Sequence, residues 1–217
     1  MNKEELQEIA KQLACTDGEG GLTMAENMNK MNDFITMRSI DRLALIAGES
    51  VVEIGPGNGL LSQRIVRSLG DDGLFFGLER SATMAGVARK NLARAGAGQV
   101  DIFHGDCLDA PIAAGSMDAV MAVNVLYFID DLHGFFEKLT SWLRPGGRAV
   151  FGIRSPETMR RMPFTQYGFN MRPYADIESI MRNYGFNQID SDCHDEGVVT
   201  LAGVDIQVDS IIIKGVV

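Results

Sequence analysis

The sequence predicts an α/β protein: a three-layer, doubly wound sheet of seven strands with the last strand antiparallel, preceded by an N-terminal helical cap. Three observations predict it. From Ser50 onward, short β-rich runs alternate with segments of helical period, and that alternation implies βαβ units with a parallel sheet between two helical layers. A glycine-rich stretch, Gly55-Pro56-Gly57-Asn58-Gly59, joins the first β-rich run to the helix after it. Near the end, two β-rich runs follow one another with no helix between them, the pattern of an antiparallel hairpin at a sheet edge.

The elements follow in order. Leu6, Ile9, Ala10 and Leu13 recur at helical spacing over residues 3–14, and Asp17-Gly18-Glu19-Gly20-Gly21 is expected to break that helix. A Met-rich stretch, 24–37, leads into a second helix over 33–47, with Gly48 expected as its C-cap. Strands are expected at 51–54, 73–78, 100–104, 117–123 and 148–153, and helices at 60–69, 82–95 and 131–143, the last stopped by Arg144-Pro145-Gly146-Gly147. Pro156, Pro163 and Pro173 punctuate an irregular stretch before a helix at 174–183, and the hairpin strands fall at 186–192 and 206–214. The 217 residues suffice for one domain with a substantial core. The expected division is a helical cap over 1–47, a ligand-binding core over 48–154, and a lid segment with the hairpin over 155–217.

Composition narrows the partners. Apolar residues make up 46% and charged residues 23%, an ordinary globular balance. The formal charge of −9 repels polyanions, and no basic stripe offers a nucleic-acid footprint, so a nucleic-acid partner is not expected. The start, Met1-Asn2-Lys3-Glu4-Glu5-Leu6, lacks the apolar core of a signal peptide. The longest apolar run, 119–129, is interrupted by Asn124 and too short to span a bilayer. No membrane partner and a cytoplasmic location are the expectations. Cys15, Cys107 and Cys193 are odd in number and far apart, which suggests neither a disulfide framework nor a metal site.

The chemistry concentrates at the predicted C-terminal strand ends, the edge where open α/β sheets bind ligands. Glycines at 55, 57 and 59 give GxGxG after Glu53-Ile54. Dinucleotide sites prefer GxGxxG, whose last glycine allows close helix packing beside a pyrophosphate, so an NAD-dependent oxidoreductase fits less well. Glu79 ends the second strand, where an acid can accept hydrogen bonds from both ribose hydroxyls and repel a 2′-phosphate. Asp106, in His104-Gly105-Asp106-Cys107, follows the third strand and can accept from an exocyclic amine; Asn124-Val125-Leu126-Tyr127 ends the fourth.

On these segments, together with Leu143-Arg144-Pro145-Gly146-Gly147, the chain resembles the class I S-adenosylmethionine-dependent methyltransferases, and especially the small-molecule branch similar to ubiquinone and menaquinone biosynthesis enzymes. The likeness is good over 45–153 and loose over the hairpin. It implies the strand order 3-2-1-4-5-7-6, S-adenosylmethionine as cofactor and a small-molecule acceptor. It also implies that Gly55, Pro56, Gly57, Asn58 and Gly59 line the methionine part and that Glu53 orients its ammonium. By the same likeness Glu79 holds the ribose, Asp106 takes the adenine amine, Arg80 and Cys107 flank the ring, and Asn124 and Val125 close the site. Asn124-Val125-Leu126-Tyr127 departs from the NPPY motif of enzymes that methylate nucleic-acid amines, since both prolines are absent.

Methyl transfer from a sulfonium needs positioning more than it needs a nucleophile or a metal. His104, His133 and His194 therefore read as structural or solvated, and Tyr127 is the residue expected to face the methyl group. Two segments are candidates to cover the acceptor: 24–37, with Met24, Met28, Met31 and Met37, where helix packing is the stronger reading, and 159–174, with Met159, Met162, Phe164, Tyr167, Phe169, Met171 and Tyr174. Arg160-Arg161 reads as a solvated face, with a clamp on an anionic acceptor as the sharper alternative.

Overall fold

A computed structural model describes residues 1–96, 98–201 and 203–217. Seven strands form one sheet: β1 (Ser50–Ile54), β2 (Leu74–Glu79), β3 (Gln99–His104), β4 (Met117–Val123), β5 (Leu143–Ile153), β6 (Asp190–Leu201) and β7 (Val204–Val216). Their order is β3-β2-β1-β4-β5-β7-β6. The first five run parallel, and β7 lies antiparallel between β5 and β6. The order reverses between β1 and β4, so the carboxyl ends of these two strands splay apart into a crevice.

Period-two alternation divides the core between the two faces of the sheet. Val51, Ala119, Val150 and Ile212 face one side with Ile65, Val66, Leu69, Ala88 and Leu92 of helices α3 (Gln63–Leu69) and α4 (Ala82–Leu92). Val52, Val120, Ala149 and Phe151 face the other with Phe135, Phe136, Leu139 and Trp142 of α5 (Leu132–Trp142). Two further helices, α6 (Pro156–Arg161) and α7 (Tyr174–Asn183), follow β5. Helix α6 falls in the stretch expected to be irregular; Pro156 in its first turn and Ser155, whose Oγ accepts from the Thr158 N–H at 3.1 Å, start it.

The N-terminal region departs most from expectation. Helix α1 (Lys3–Ala14) ends as expected, but α2 runs unbroken from Gly18 to Leu43. The glycine run opens α2 instead of forming a loop. Each such glycine costs about 1 kcal/mol against alanine; at Gly21 the space is tight, since a Cβ there would lie 3.2 Å from the Thr16 side chain. The C-terminal half of α2 buries Ile35, Ile40 and Leu43 on the sheet, so that half is a layer helix, while the N-terminal half joins α1 over the strand ends. The C-cap of α2 is Ala44, in the left-handed region at φ 51°, whereas Gly48 turns the chain into β1 and donates its N–H to the Leu69 carbonyl at 2.8 Å.

The hairpin strands are longer than their apolar pattern predicts. The outer strand β6 carries Asp190, Asp192, Asp195 and Glu196, charges suited to an edge. Phe186, expected in that strand, instead lies beneath it, packed against Gly215 of β7.

Candidate active site

The carboxyl ends of β1, β2 and β4 open into a cleft roofed by α1 and α2. Its floor is the loop after β1. There Gly57 has a φ of 58°, and a Cβ built on it meets nothing within 4 Å; the backbone turns left-handed and leaves open space for a ligand. Gly59 serves differently. It is not part of the cleft wall, and a Cβ there would lie 3.0 to 3.2 Å from Leu92 and the Ala88 Cα, so it seats the loop against α4.

Two buried acids define the cleft. Glu79 takes the N–H of Gly57 on one carboxylate oxygen at 3.0 Å and the N–H of Ser81 on the other at 2.8 Å. It thereby fixes the glycine loop, while its remaining lone pairs stay available. Burial raises its pKa against these backbone donors. Glu53 continues the inward row of Val51 one step beyond the core, and 4% of it is exposed. One of its carboxylate oxygens has no hydrogen-bond partner, nor has the buried Ser62 hydroxyl beside the cleft. Burial pushes the Glu53 carboxyl up to about 7, with Glu79 adding repulsion. A buried acid with a free oxygen facing a cleft is a demand for a cationic donor.

The remaining expected residues distribute as follows. Pro56, Gly55, Asn58, Arg80, Cys107, Asn124 and Val125 all line the cleft. Asp106 does not: it is exposed at the rim, where its carboxylate caps the turn Cys107–Asp109 by accepting from the Leu108 N–H at 3.0 Å. Burial and the neighbouring Asp106 charge push the Cys107 thiol up to about 12, which makes it an inert wall.

Tyr127 belongs to a second, smaller cavity. It shares Leu13, Met28, Asn32, Asn124 and Phe128 with the cleft and continues to Arg154, Met159, Met162, Phe164 and Phe169. The Arg154 N–H donates to the Tyr127 hydroxyl, which in turn lies 3.3 Å from both the Asn124 Oδ1 and the Arg154 carbonyl. Burial holds this phenol far above its ordinary ionisation range. Tyr127 is therefore a latch between the end of β4 and the end of β5, and not a residue poised to take a proton. Arg160 and Arg161 are exposed and line neither cavity, Arg161 pairing with Glu157 at 2.8 Å, as a solvated face would be. The arginine in the wall of the second cavity is Arg154.

Several residues of the site were not anticipated. From α2, the Asn29 side chain donates to the Asn58 Oδ1 at 3.0 Å, and the Asn32 Oδ1 accepts from Asn124 at 3.1 Å. These bonds tie the roof to both loops beneath it. Asn29, Asn32 and Thr36 all line the cleft and fall three and four residues apart. That polar stripe on an otherwise sheet-covering helix is the signal that marks them. The turn after α1 is held down by the Ser81 hydroxyl, which donates to the Thr16 carbonyl, and by a bond between Thr83 and Asp17.

Comparison with known proteins agrees with this geometry. Residues 51–147 match the family model described as a methyltransferase domain. The chain is 29% identical over 107 residues to the arsenite methyltransferase of Halobacterium salinarum, covering 49% of this chain and 27% of that protein. It is 24% identical over 184 residues to the demethylmenaquinone methyltransferase of Lactococcus lactis, covering 80% and 69%. Among solved structures, a chain of the Haloferax volcanii complex between the Trm112 methyltransferase activator and a methyltransferase superposes with a TM-score of 0.73 at 20% identity, covering 97% of both chains. A phosphoethanolamine N-methyltransferase of Haemonchus contortus, solved with S-adenosylhomocysteine, superposes at 0.66 with 16% identity, over 83% of this chain and 52% of that one. The fold is shared throughout, and residues 51–147 match the methyltransferase-domain model.

Proposed function

We propose that the chain transfers a methyl group from S-adenosylmethionine to a small, largely apolar acceptor. The observation that carries this reading is the buried, half-unpartnered Glu53 carboxylate facing the cleft beside the Glu79-braced glycine loop. One acid suits an ammonium and the other a pair of ribose hydroxyls, and the open space at Gly57 lies between. The bound cofactor supplies a methyl group on a sulfonium, electrophilic without further activation.

What the chain supplies is placement. Glu53 holds the amino group, and Glu79 holds the ribose while fixing the loop. Arg80 and Cys107 wall the base, with Asp106 at the rim near its amine. Asn124, locked by Asn32 and Tyr127, sets the boundary between cleft and second cavity. An acceptor in that cavity is held near the reacting carbon, and positioning of this kind is worth several kcal/mol (up to about 7–11) of barrier.

The same reading takes residues 1–217 as one unit acting on small molecules rather than on nucleic acid. Among the described residues no helix is long and apolar enough to cross a membrane, which accords with action in the cytoplasm. Calorimetric titration tests the core of the proposal. Micromolar binding of S-adenosylmethionine and S-adenosylhomocysteine, with none of NAD, is the expected result; NAD binding alone would replace the reading with an oxidoreductase.

A further inference from the structure

The second cavity is defined by what its walls can and cannot do to an acceptor. Six of its side chains, Met28, Met31, Met159, Met162, Phe164 and Phe169, are sulfur or aromatic surface, soft and polarisable. Asn32 and Asn124 are neutral amides that bond each other. Arg154 is the one charged side chain in the wall, and its guanidinium is already committed: to Glu196 at 3.0 Å, to the Asp209 carbonyl at 2.9 Å and to the Met31 carbonyl at 2.9 Å. The titratable groups behind the wall are engaged too. Glu196 of β6 pairs with Arg154, and the Asp209 carboxylate of β7 accepts from the Ser155 N–H at 2.9 Å. Tyr127 is tied to the Arg154 backbone, and Glu53 faces the cleft on the other side of Asn124.

Such a cavity grips an acceptor by dispersion, without a counter-ion or a proton acceptor of its own. A carboxylate would lose strong hydration and gain no partner. An amine arrives protonated and an alcohol or phenol keeps its proton at neutral pH, so each needs a base to attack. A thiol differs. Its ordinary pKa of about 8.5 lets it release a proton to water before it enters the cavity. Its diffuse charge is less strongly hydrated than a carboxylate's, the sulfonium beside it supplies the compensating charge, and the thiolate is intrinsically a strong nucleophile.

We propose that the acceptor is a small apolar thiol, methylated at sulfur as its thiolate. This rests on the methyltransferase reading above. The thiol proton leaves to solvent first. The thiolate sulfur then forms a bond to the methyl carbon as the bond from that carbon to the sulfonium breaks. The electron pair of the broken bond stays on the departing sulfur, which becomes a neutral thioether. One negative and one positive charge cancel, so an apolar wall assists the step rather than opposing it.

The test uses the full chain, methyl-labelled S-adenosylmethionine and four acceptors of similar shape: thiophenol, phenol, benzylamine and benzoate. Products are read by mass spectrometry, with cofactor affinity measured in parallel by calorimetry. Thiophenol is expected to be methylated at least about tenfold faster than the others. Met162→Trp should lower that rate at least about tenfold while leaving cofactor affinity within about twofold. Replacing thiophenol with benzyl mercaptan, a weaker acid, should move the inflection of the pH–rate profile upward with the acceptor. Oxygen or nitrogen methylation at an equal or higher rate overturns the proposal. So does an inflection fixed by the protein, or a chain that binds cofactor and leaves every thiol unmethylated. Failure to bind S-adenosylmethionine instead overturns the methyltransferase reading, and the thiol assignment falls with it.

Discussion

The cleft and the cavity beside it are built by opposite means. The cleft is made of backbone and acids at consecutive strand ends: the loop after β1, Glu79 after β2, Gly105 and Cys107 after β3, Asn124 after β4. The cavity is made of side chains brought from α1, α2, the end of β5, α6 and the turn Pro163–Gln166. The first surface recognises hydrogen-bonding groups in fixed positions, the second only shape and softness. On the proposed function, the part that would hold the cofactor is set by topology, and the part that would choose an acceptor is set by packing.

The sharpest way to break that contrast is to attack the packing side at its one polar anchor. Glu196→Ala leaves the buried Arg154 guanidinium without its carboxylate and should cost about 3–5 kcal/mol of stability in a urea titration. A loss below about 1 kcal/mol would mean the cavity floor does not depend on the hairpin.

On the topological side, Gly57→Val places a branched side chain at φ 58° in the open space of the cleft. Cofactor affinity should fall at least about a hundredfold by calorimetry, some 2.7 kcal/mol, with a smaller stability loss of about 1–2 kcal/mol from the left-handed backbone. Equal losses in both would make this glycine structural.

Glu53 distinguishes the two regions by pH. Its carboxyl titrates at 4.5 in the unfolded chain and at about 7 in the fold. Between those values the folded protein keeps a proton that the unfolded chain has released. The contribution is whole below pH 4.5 and is lost as the pH rises through 7, about 3 kcal/mol in all. Glu53→Gln should therefore flatten the difference in stability between pH 5 and pH 8 while weakening cofactor binding. A parallel pH dependence in wild type and variant would show that Glu53 is already paired.

These regions also differ in how far the sequence discloses them. GxGxG after a β-rich run, an acid one strand later and the LRPGG segment that opens β5 are local patterns, so the sheet, its crevice and the cleft floor were legible. The roof was not. Gly18-Glu19-Gly20-Gly21 reads as a break because local propensity says so, and the bonds that hold the chain at the start of that helix, Ser81 to the Thr16 carbonyl and Thr83 to Asp17, come from residues far along the sequence. Asn29 and Asn32 gain meaning from Asn58 and Asn124, which lie 29 and 92 residues away in the chain. Arg154 was hidden for the same reason. An arginine at a strand end announces nothing until Glu196 and Met31 are brought beside it.

Two smaller effects sharpen the picture on the acceptor side. Tyr127→Phe removes the partner of the buried Arg154 N–H and should cost about 1–3 kcal/mol of stability without altering the pH profile of the rate. A lost basic limb would restore the residue as a proton acceptor. Arg160→Ala and Arg161→Ala, both exposed, should each stay within about 0.5 kcal/mol of wild type and keep full activity.

Helix α2 has a consequence beyond covering the site. It gives Asn29 and Thr36 to the wall of the cleft and Met31 to the wall of the second cavity, on a single continuous helix. Two sites that share a wall share its conformational equilibrium. Any ordering of that helix by a first ligand alters the affinity for a second, and the reverse effect has the same factor. Titrating either ligand in the presence of the other thus measures one coupling energy twice, and the two values must agree.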